Sequence, residues 1–138
     1  MPSGDDLGLG QLKQGEMCLR FDTRVLLTTC VLDTPSQVQE WVYTKTGAVR
    51  NGDSCISSEG ERWVVTAGRC DDGAAAQVGV VNRKWIRRNR FIIHSATGLC
   101  LDSAHAPNVT VSKCRRNLYS QQWDFSVELQ AADILSAR

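Results

Sequence analysis

The chain has 138 residues, a length suited to one domain, and its charges nearly cancel: 16 Lys and Arg against 15 Asp and Glu, net +1. That balance gives no global pull toward nucleic acid or an anionic membrane, and no apolar run approaches the ~18–20 residues of a membrane-spanning helix. Six cysteines in so short a chain point to an oxidising compartment.

The first residues, Met1-Pro2-Ser3-Gly4-Asp5-Asp6, lack the basic start and apolar stretch of a signal peptide. Any export signal is therefore expected outside this chain, and residues 1–8 read as a tail. Next comes Cys18-Leu19-Arg20, then the β-rich run Val25-Leu26-Leu27-Thr28, Cys30, and Gln39-Glu40-Trp41. Turn signals follow at Thr46-Gly47 and Asn51-Gly52. The order then recurs: Cys55-Ile56-Ser57, the run Trp63-Val64-Val65-Thr66, Cys70, a turn at Asp72-Gly73, and Arg83-Lys84-Trp85. It recurs again after the run Phe91-Ile92-Ile93-His94 and a turn at Thr97-Gly98. Here stand Cys100-Leu101-Asp102, a turn at Ala106-Pro107-Asn108, the run Val109-Thr110-Val111, Cys114 and Gln121-Gln122-Trp123. Residues from about 127 to 138 read as a short helix or a frayed tail.

Each unit is Cys, strand, Cys, loop, Gln-x-Trp, with Arg83 replacing Gln in the middle copy. A Cys pair that brackets one short strand suggests three local bridges, Cys18–Cys30, Cys55–Cys70 and Cys100–Cys114. Each closes a loop worth about 3 kcal/mol in the chain-entropy model. Zinc is the rival use of paired cysteines, but no Cys-x-x-Cys knuckle is present. A repeat that cannot bury its own apolar face packs on its neighbours, with Trp41, Trp85 and Trp123 as equivalent core anchors. The expected fold is all-β with pseudo-threefold symmetry and one disulfide per repeat.

The threefold Cys-Leu-Asp…Cys…Gln-x-Trp pattern resembles the ricin-B-type lectin family, whose fold is a β-trefoil. The resemblance covers residues about 9–126, with repeats near 9–50, 51–94 and 95–126 and a tail at 127–138. Within that family the chain looks most like the C-terminal lectin domain of polypeptide N-acetylgalactosaminyltransferases. The segments that carry this are Leu9-Gly10-Gln11-Leu12-Lys13-Gln14, Trp41-Val42-Tyr43-Thr44-Lys45 with Gly47-Ala48-Val49-Arg50, and Ser120-Gln121-Gln122-Trp123-Asp124-Phe125. This implies a Golgi-lumen, type II membrane enzyme that starts mucin-type O-glycans from UDP-GalNAc with Mn²⁺. The metal and the chemistry belong to a catalytic domain outside this chain. The family's Asp-x-His motif is absent; Asp102-Ser103-Ala104-His105 has one residue too many. This domain is therefore expected to need no cofactor, to catalyse nothing, and to contact neither membrane nor nucleic acid.

In the family each repeat can hold one sugar. The resemblance assigns the work to an Asp after Cys-Leu, an aromatic two residues before the second Cys or a His just after it, and an Asn before Gln-x-Trp. The first repeat has Arg20, Thr28 and Val38 at the Asp, aromatic and Asn places. The second has Ser57 and Gly68, but keeps Asn82. The third keeps Asp102, with Ser112, Arg115 and Ser120 elsewhere, and Asn117 and Tyr119 nearby in the loop. The expected carbohydrate contacts are thus Asp102, Asn117, Tyr119 and Gln121 in the third repeat and Asn82 in the second. His94 and His105 read as structural. The cations Arg83, Lys84, Arg87, Arg88 and Arg90 around Trp85 read as a solvated face, or as a contact for an acidic peptide, a sulfated glycan or the catalytic domain. Asn108-Val109-Thr110 is an N-glycosylation sequon.

The reading that results is a non-catalytic lectin domain that binds GalNAc-bearing glycopeptides and directs an attached transferase. Erosion of the sugar positions supports a second reading, a trefoil that has lost sugar binding and serves structure or protein contact. A free-standing secreted lectin, or the binding module of a glycosidase, is a third.

Overall fold

The structure, a computed structural model, describes residues 6–31, 37–61, 64–70 and 81–128. They form twelve strands, four per repeat. The first repeat holds β1 (Asp6–Gln14), β2 (Met17–Phe21), β3 (Val25–Thr29) and β4 (Trp41–Thr44). The second holds β5 (Val49–Asn51), β6 (Ser54–Ser57), β7 (Thr66–Arg69) and β8 (Trp85–Arg88). The third holds β9 (Phe91–His94), β10 (Cys100–Asp102), β11 (Thr110–Ser112) and β12 (Asp124–Glu128). A 3-10 turn precedes the last strand of each repeat, at Gln37–Gln39, Val81–Arg83 and Tyr119–Gln121. The repeat's expected pseudo-threefold all-β structure is present, as the β-trefoil that the family resemblance implies.

β2–β3, β6–β7 and β10–β11 are antiparallel hairpins. β12 pairs with β1, so the last strand closes on the first. Gly10 sits at a register shift in β1 with φ +95; a Cβ there would come within 2.8 Å of the Ser126 Cβ. The three hairpins meet through Leu27 N–H to the Pro107 carbonyl and Val65 N–H to the Val109 carbonyl, each 2.8 Å.

The core is built in triplets, one residue from each repeat. Leu12, Val49 and Ile92 are buried on β1, β5 and β9. Leu19, Ile56 and Leu101 are buried just after the first Cys of each unit, and Val25, Val65 and Val109 five places before the second. Trp41, Trp85 and Trp123 complete the set, and each indole N–H donates to the carbonyl of Leu19, Ile56 or Leu101 at 2.8, 3.0 and 3.0 Å. A buried Trp needs that partner. The other end of the barrel is closed by Tyr43, Arg87 and Phe125, each two places after its Trp. Tyr43 and Phe125 stack at 6.2 Å, and the Arg87 guanidinium lies 5.4 Å above the Phe125 ring.

The glutamines behave alike. Gln39 accepts Val31 N–H at 2.8 Å and donates to the Thr29 carbonyl at 2.9 Å. Gln121 accepts Arg115 N–H and donates to the Lys113 carbonyl, both at 2.8 Å. Arg83 stands in for Gln in the second repeat by donating to the Arg69 carbonyl, the equivalent acceptor. The disulfides pair Cys18–Cys30, Cys55–Cys70 and Cys100–Cys114, with Cα atoms 4.9, 5.0 and 5.1 Å apart.

Three sequence expectations change. The run Trp63-Val64-Val65-Thr66 was expected to be a strand, yet β7 begins at Thr66; Val64 instead bridges Thr110 across the symmetry axis. Both tails are shorter than expected: β1 begins at Asp6, within residues 1–8, and β12 runs to Glu128, paired with Gly8. The basic cluster around Trp85 is dispersed. Arg83 is buried, Arg87 is paired with Glu128 at 2.6 Å, and Arg90 with Asp124 at 2.6 Å. The expected turn at Asp72-Gly73, and the tail beyond 128, lie outside the described residues.

Candidate functional site

The third repeat brings Asp102, Ser112 and Gln121 together. Asp102 ends β10, and the 3-10 turn before Trp123 carries Gln121 beneath it. Asp102 Oδ1 accepts Ala104 N–H at 2.8 Å. Oδ2 accepts Gln121 Nε2–H at 3.0 Å and the Ser112 hydroxyl. Burial pushes this carboxyl up, but hydrogen bonds from Ser112, Ser120, Ala104 and Gln121 outweigh it and hold it below the ordinary carboxylate value. Asp102 is therefore an ionised acceptor, fixed in orientation and only 3% exposed.

Gln121 is fully buried, so its amide orients Asp102 and does not face solvent. Tyr119 is exposed and opens the 3-10 turn, directly before Ser120. Asn117 is exposed as well, with φ +65, and lines a cleft with Arg116, Gln122 and the Asn89–Phe91 turn. Asp102 and Gln121 are thus joined by a hydrogen bond, whereas the Tyr119 hydroxyl lies against Gly15 between β1 and β2 and Asn117 lines a separate cleft. Asn82 belongs to a different repeat and is not brought near them. Its carbonyl is the structural group: it accepts Ser58 N–H at 3.1 Å and faces His94 Nε2 at 3.0 Å.

At the corresponding places of the other repeats the polar groups are engaged locally. Arg20 pairs with Asp22 at 2.9 Å, and the Asp22 carboxyl is lowered to about 2, first by Thr23 N–H and then by Arg20. Thr28 accepts from Gln39 at 3.3 Å, the role Ser112 has for Gln121. Ser57 is within 3.4 Å of the Thr66 hydroxyl.

Asn108 sits at the tip of the third hairpin after a cis Ala106–Pro107 bond, half-buried, between clefts of about 410 and 590 Å³. His105 borders the second of these. Among the described residues no group of three His, Cys, Asp or Glu side chains gathers as a metal site.

One positioning feature was not foreseen. The side chains of Gln14, Asn51 and His94, each at the end of a first strand, reach the 3-10 turn of the repeat before. Gln14 donates to the Ser120 carbonyl at 2.8 Å, Asn51 to the Gln37 and Glu40 carbonyls at 2.6 and 3.0 Å, and His94 meets the Asn82 carbonyl. Gln14 also takes the Ser103 hydroxyl at 2.5 Å, which fixes the residue after Asp102. The signal was present as three polar residues two places after a buried aliphatic, but it is visible only once the repeats are superposed.

Comparison with known proteins agrees with this geometry. Mouse polypeptide N-acetylgalactosaminyltransferase 16 is 28% identical over 129 residues, covering 83% of this chain and 22% of that protein. The human protein of the same name is 49% identical over 41 residues. The chain thus spans about a fifth or less of the length of these relatives. Among solved structures, the hemolytic lectin CEL-III matches with a TM-score of 0.71 at 18% identity, over 90% of this chain and 33% of that one. GalNAc-T7 with UDP, GalNAc and Mn²⁺ matches at 0.69 and 17%, over 88% and 23%. A bitter gourd (Momordica charantia) protein in complex with α-methyl-D-galactoside matches at 0.66 and 20%, over 88% and 48%. The model of the ricin-type β-trefoil lectin domain matches residues 8–123, and the chain belongs to that family.

Proposed function

We propose that this chain is the carbohydrate-binding module of a polypeptide N-acetylgalactosaminyltransferase, with its sugar site in the third repeat. The observation that carries this is Asp102, held ionised and oriented by Gln121. A galactose-type sugar presents vicinal hydroxyls that need an acceptor. Gln121 and Ser112 both donate to Oδ2 and Ala104 N–H to Oδ1, so Oδ1 is the oxygen with fewer assigned donors, with Ser120 as a further donor to the carboxylate. Tyr119 offers an exposed ring to the apolar face of the sugar. Tethered to a catalytic domain in the Golgi lumen, such a module raises the local concentration of acceptor peptide that already bears GalNAc. The attached domain, and not this chain, would hold Mn²⁺.

Calorimetric titration with a GalNAc-bearing peptide and its unglycosylated counterpart tests this. Only the glycosylated peptide should bind. Asp102→Asn and the surface variant Tyr119→Ala should each weaken it by about tenfold or more, the worth of one charge-assisted hydrogen bond or one stacked ring. No binding by the unaltered domain at millimolar ligand sinks the reading. The second reading, a trefoil serving structure or protein contact, would then stand. Its support is that Asp102 is 3% exposed and its carboxylate is already engaged internally by Ala104, Ser112, Gln121 and Ser120.

The same lumenal setting makes Asn108 an N-glycan carrier. Secreted from a eukaryotic host, the domain should lose one glycan's mass on treatment with peptide-N-glycosidase. Asn108→Gln should show no loss.

A further inference from the structure

We propose that the cleft between the β8–β9 turn and the loop at 115–122 binds an acidic saccharide residue, one carrying a carboxylate or a sulfate. The site is separate from Asp102, and the inference goes beyond the GalNAc reading.

The cleft encloses about 340 Å³ and is lined by Asn89, Arg90, Phe91, Arg116, Asn117 and Gln122. That volume is at the small end of ligand sites, roughly 300–1,000 Å³, and suits one sugar ring. One wall is rigid. Arg90 makes a two-point contact with Asp124, at 3.0 and 2.6 Å, and its remaining nitrogen donates to Gln122 Oε1 at 2.8 Å. The Arg90 backbone carbonyl accepts Trp123 N–H at 2.9 Å, which ties the turn to the core. This holds the Asp124 carboxylate in a pair with Arg90, and Glu128 is likewise paired with Arg87.

The opposite wall is uncommitted. Among the described residues, Arg116 makes no ion pair or hydrogen bond through its side chain, and neither do Asn89 and Asn117. All three are exposed. Lys113 and Arg115 add exposed cations on the same loop. The charge offered to a ligand is therefore positive, and Arg116 is the guanidinium able to take both oxygens of a carboxylate or sulfate.

Two features favour a saccharide over an acidic peptide. Phe91 is half-buried and gives the cleft an aromatic surface for the C–H face of a ring. The Asn89, Asn117 and Gln122 amides can both donate and accept, which matches hydroxyls around a ring. Asn89 and Asn117 hold φ of +55 and +65, a conformation Asn tolerates and Gly adopts freely. Replacing either by Gly removes the amide and keeps the backbone.

Calorimetry on the 138-residue chain tests this with four probes: a sialylated galactoside for the carboxylate arm, galactose 6-sulfate for the sulfate arm, neutral galactose, and a Glu-rich peptide. One or both acidic sugars should bind, more tightly than galactose, and weaken as salt is raised. Arg116→Gln and Asn89→Gly should each cut that affinity by on the order of fivefold, the worth of one hydrogen bond. Neither should alter binding of the GalNAc-bearing peptide. The proposal is overturned if galactose binds as well as both acidic sugars, if the Glu-rich peptide binds more tightly than either, or if Arg116→Gln leaves acidic-sugar affinity unchanged. Loss of GalNAc-peptide binding in Asp102→Asn with acidic-sugar binding intact separates the two sites. An inert Asp102 site beside a working cleft would defeat the first reading only.

Discussion

Arg87 shows how one side chain departs from the symmetry and is then built upon. Its equivalents, Tyr43 and Phe125, are aromatic, and the guanidinium completes their cluster by lying on the Phe125 ring. Its nitrogens reach Glu128 at 2.6 and 3.1 Å and the Trp123 and Arg90 carbonyls at 2.7 and 2.9 Å. Only about 10% of the Arg87 side chain is exposed. Removing it strands a half-buried carboxylate and two carbonyls. Arg87→Ala should therefore cost about 3 kcal/mol in denaturant unfolding. In a double-mutant cycle with Glu128→Ala the pair should couple by about 1 kcal/mol or more. Additivity would show that the two side chains do not interact. Arg83 was legible as a departure from Gln-x-Trp, but its use of the Arg69 carbonyl was not, since a chain does not display which carbonyl lies within a guanidinium's reach.

At the scale of elements, the joints between repeats are polar. Each 3-10 turn is held by a side chain from the first strand of the next repeat: Gln14, Asn51 or His94. His94 Nε2 faces a carbonyl, so it carries the proton. Nδ1 is 2.8 Å from the Thr97 hydroxyl, which then donates. Burial pushes the imidazole pKa below the usual 6.5, against the opposing pull of the Asn82 carbonyl and Glu59. The folded state thus binds this proton less readily than the unfolded chain. The stability contributed by neutral His94 is present above about pH 6.5 and is lost as the pH falls toward the lower folded value. Melting temperature should drop between pH 7 and about pH 5 in the natural chain, and drop less in His94→Gln, which copies the Gln14 joint. Equal slopes in the two proteins would show that His94 does not set this dependence.

For the whole molecule, three local bridges hold a modest β-core. Their loops span 12, 15 and 14 residues of separation, each worth about 3 kcal/mol in the chain-entropy model. Together that is comparable with the whole stability of a domain this size, about 5–15 kcal/mol. Reduction should therefore unfold or strongly loosen the domain, seen as a collapsed melting temperature by calorimetry. An unchanged melt under reductant would show that the core holds without them.

The sequence by itself determined the scaffold. The Cys pairs, the Trp anchors and the turn residues recur in phase, and each of their defining contacts closes within one repeat: the bridges over 12–15 residues, the indole bonds over 22–29. Local contacts of this kind leave a periodic trace in the chain. The tertiary structure alone decided what happens between repeats. Val64 pairs across the axis and not within its hairpin, and Gln14 braces Ser103 from 89 residues away. The Arg116 cleft arises where the β8–β9 turn meets the 115–122 loop. These contacts depend on how three near-equal units close around one axis, and closure sets distances that no spacing along the chain records.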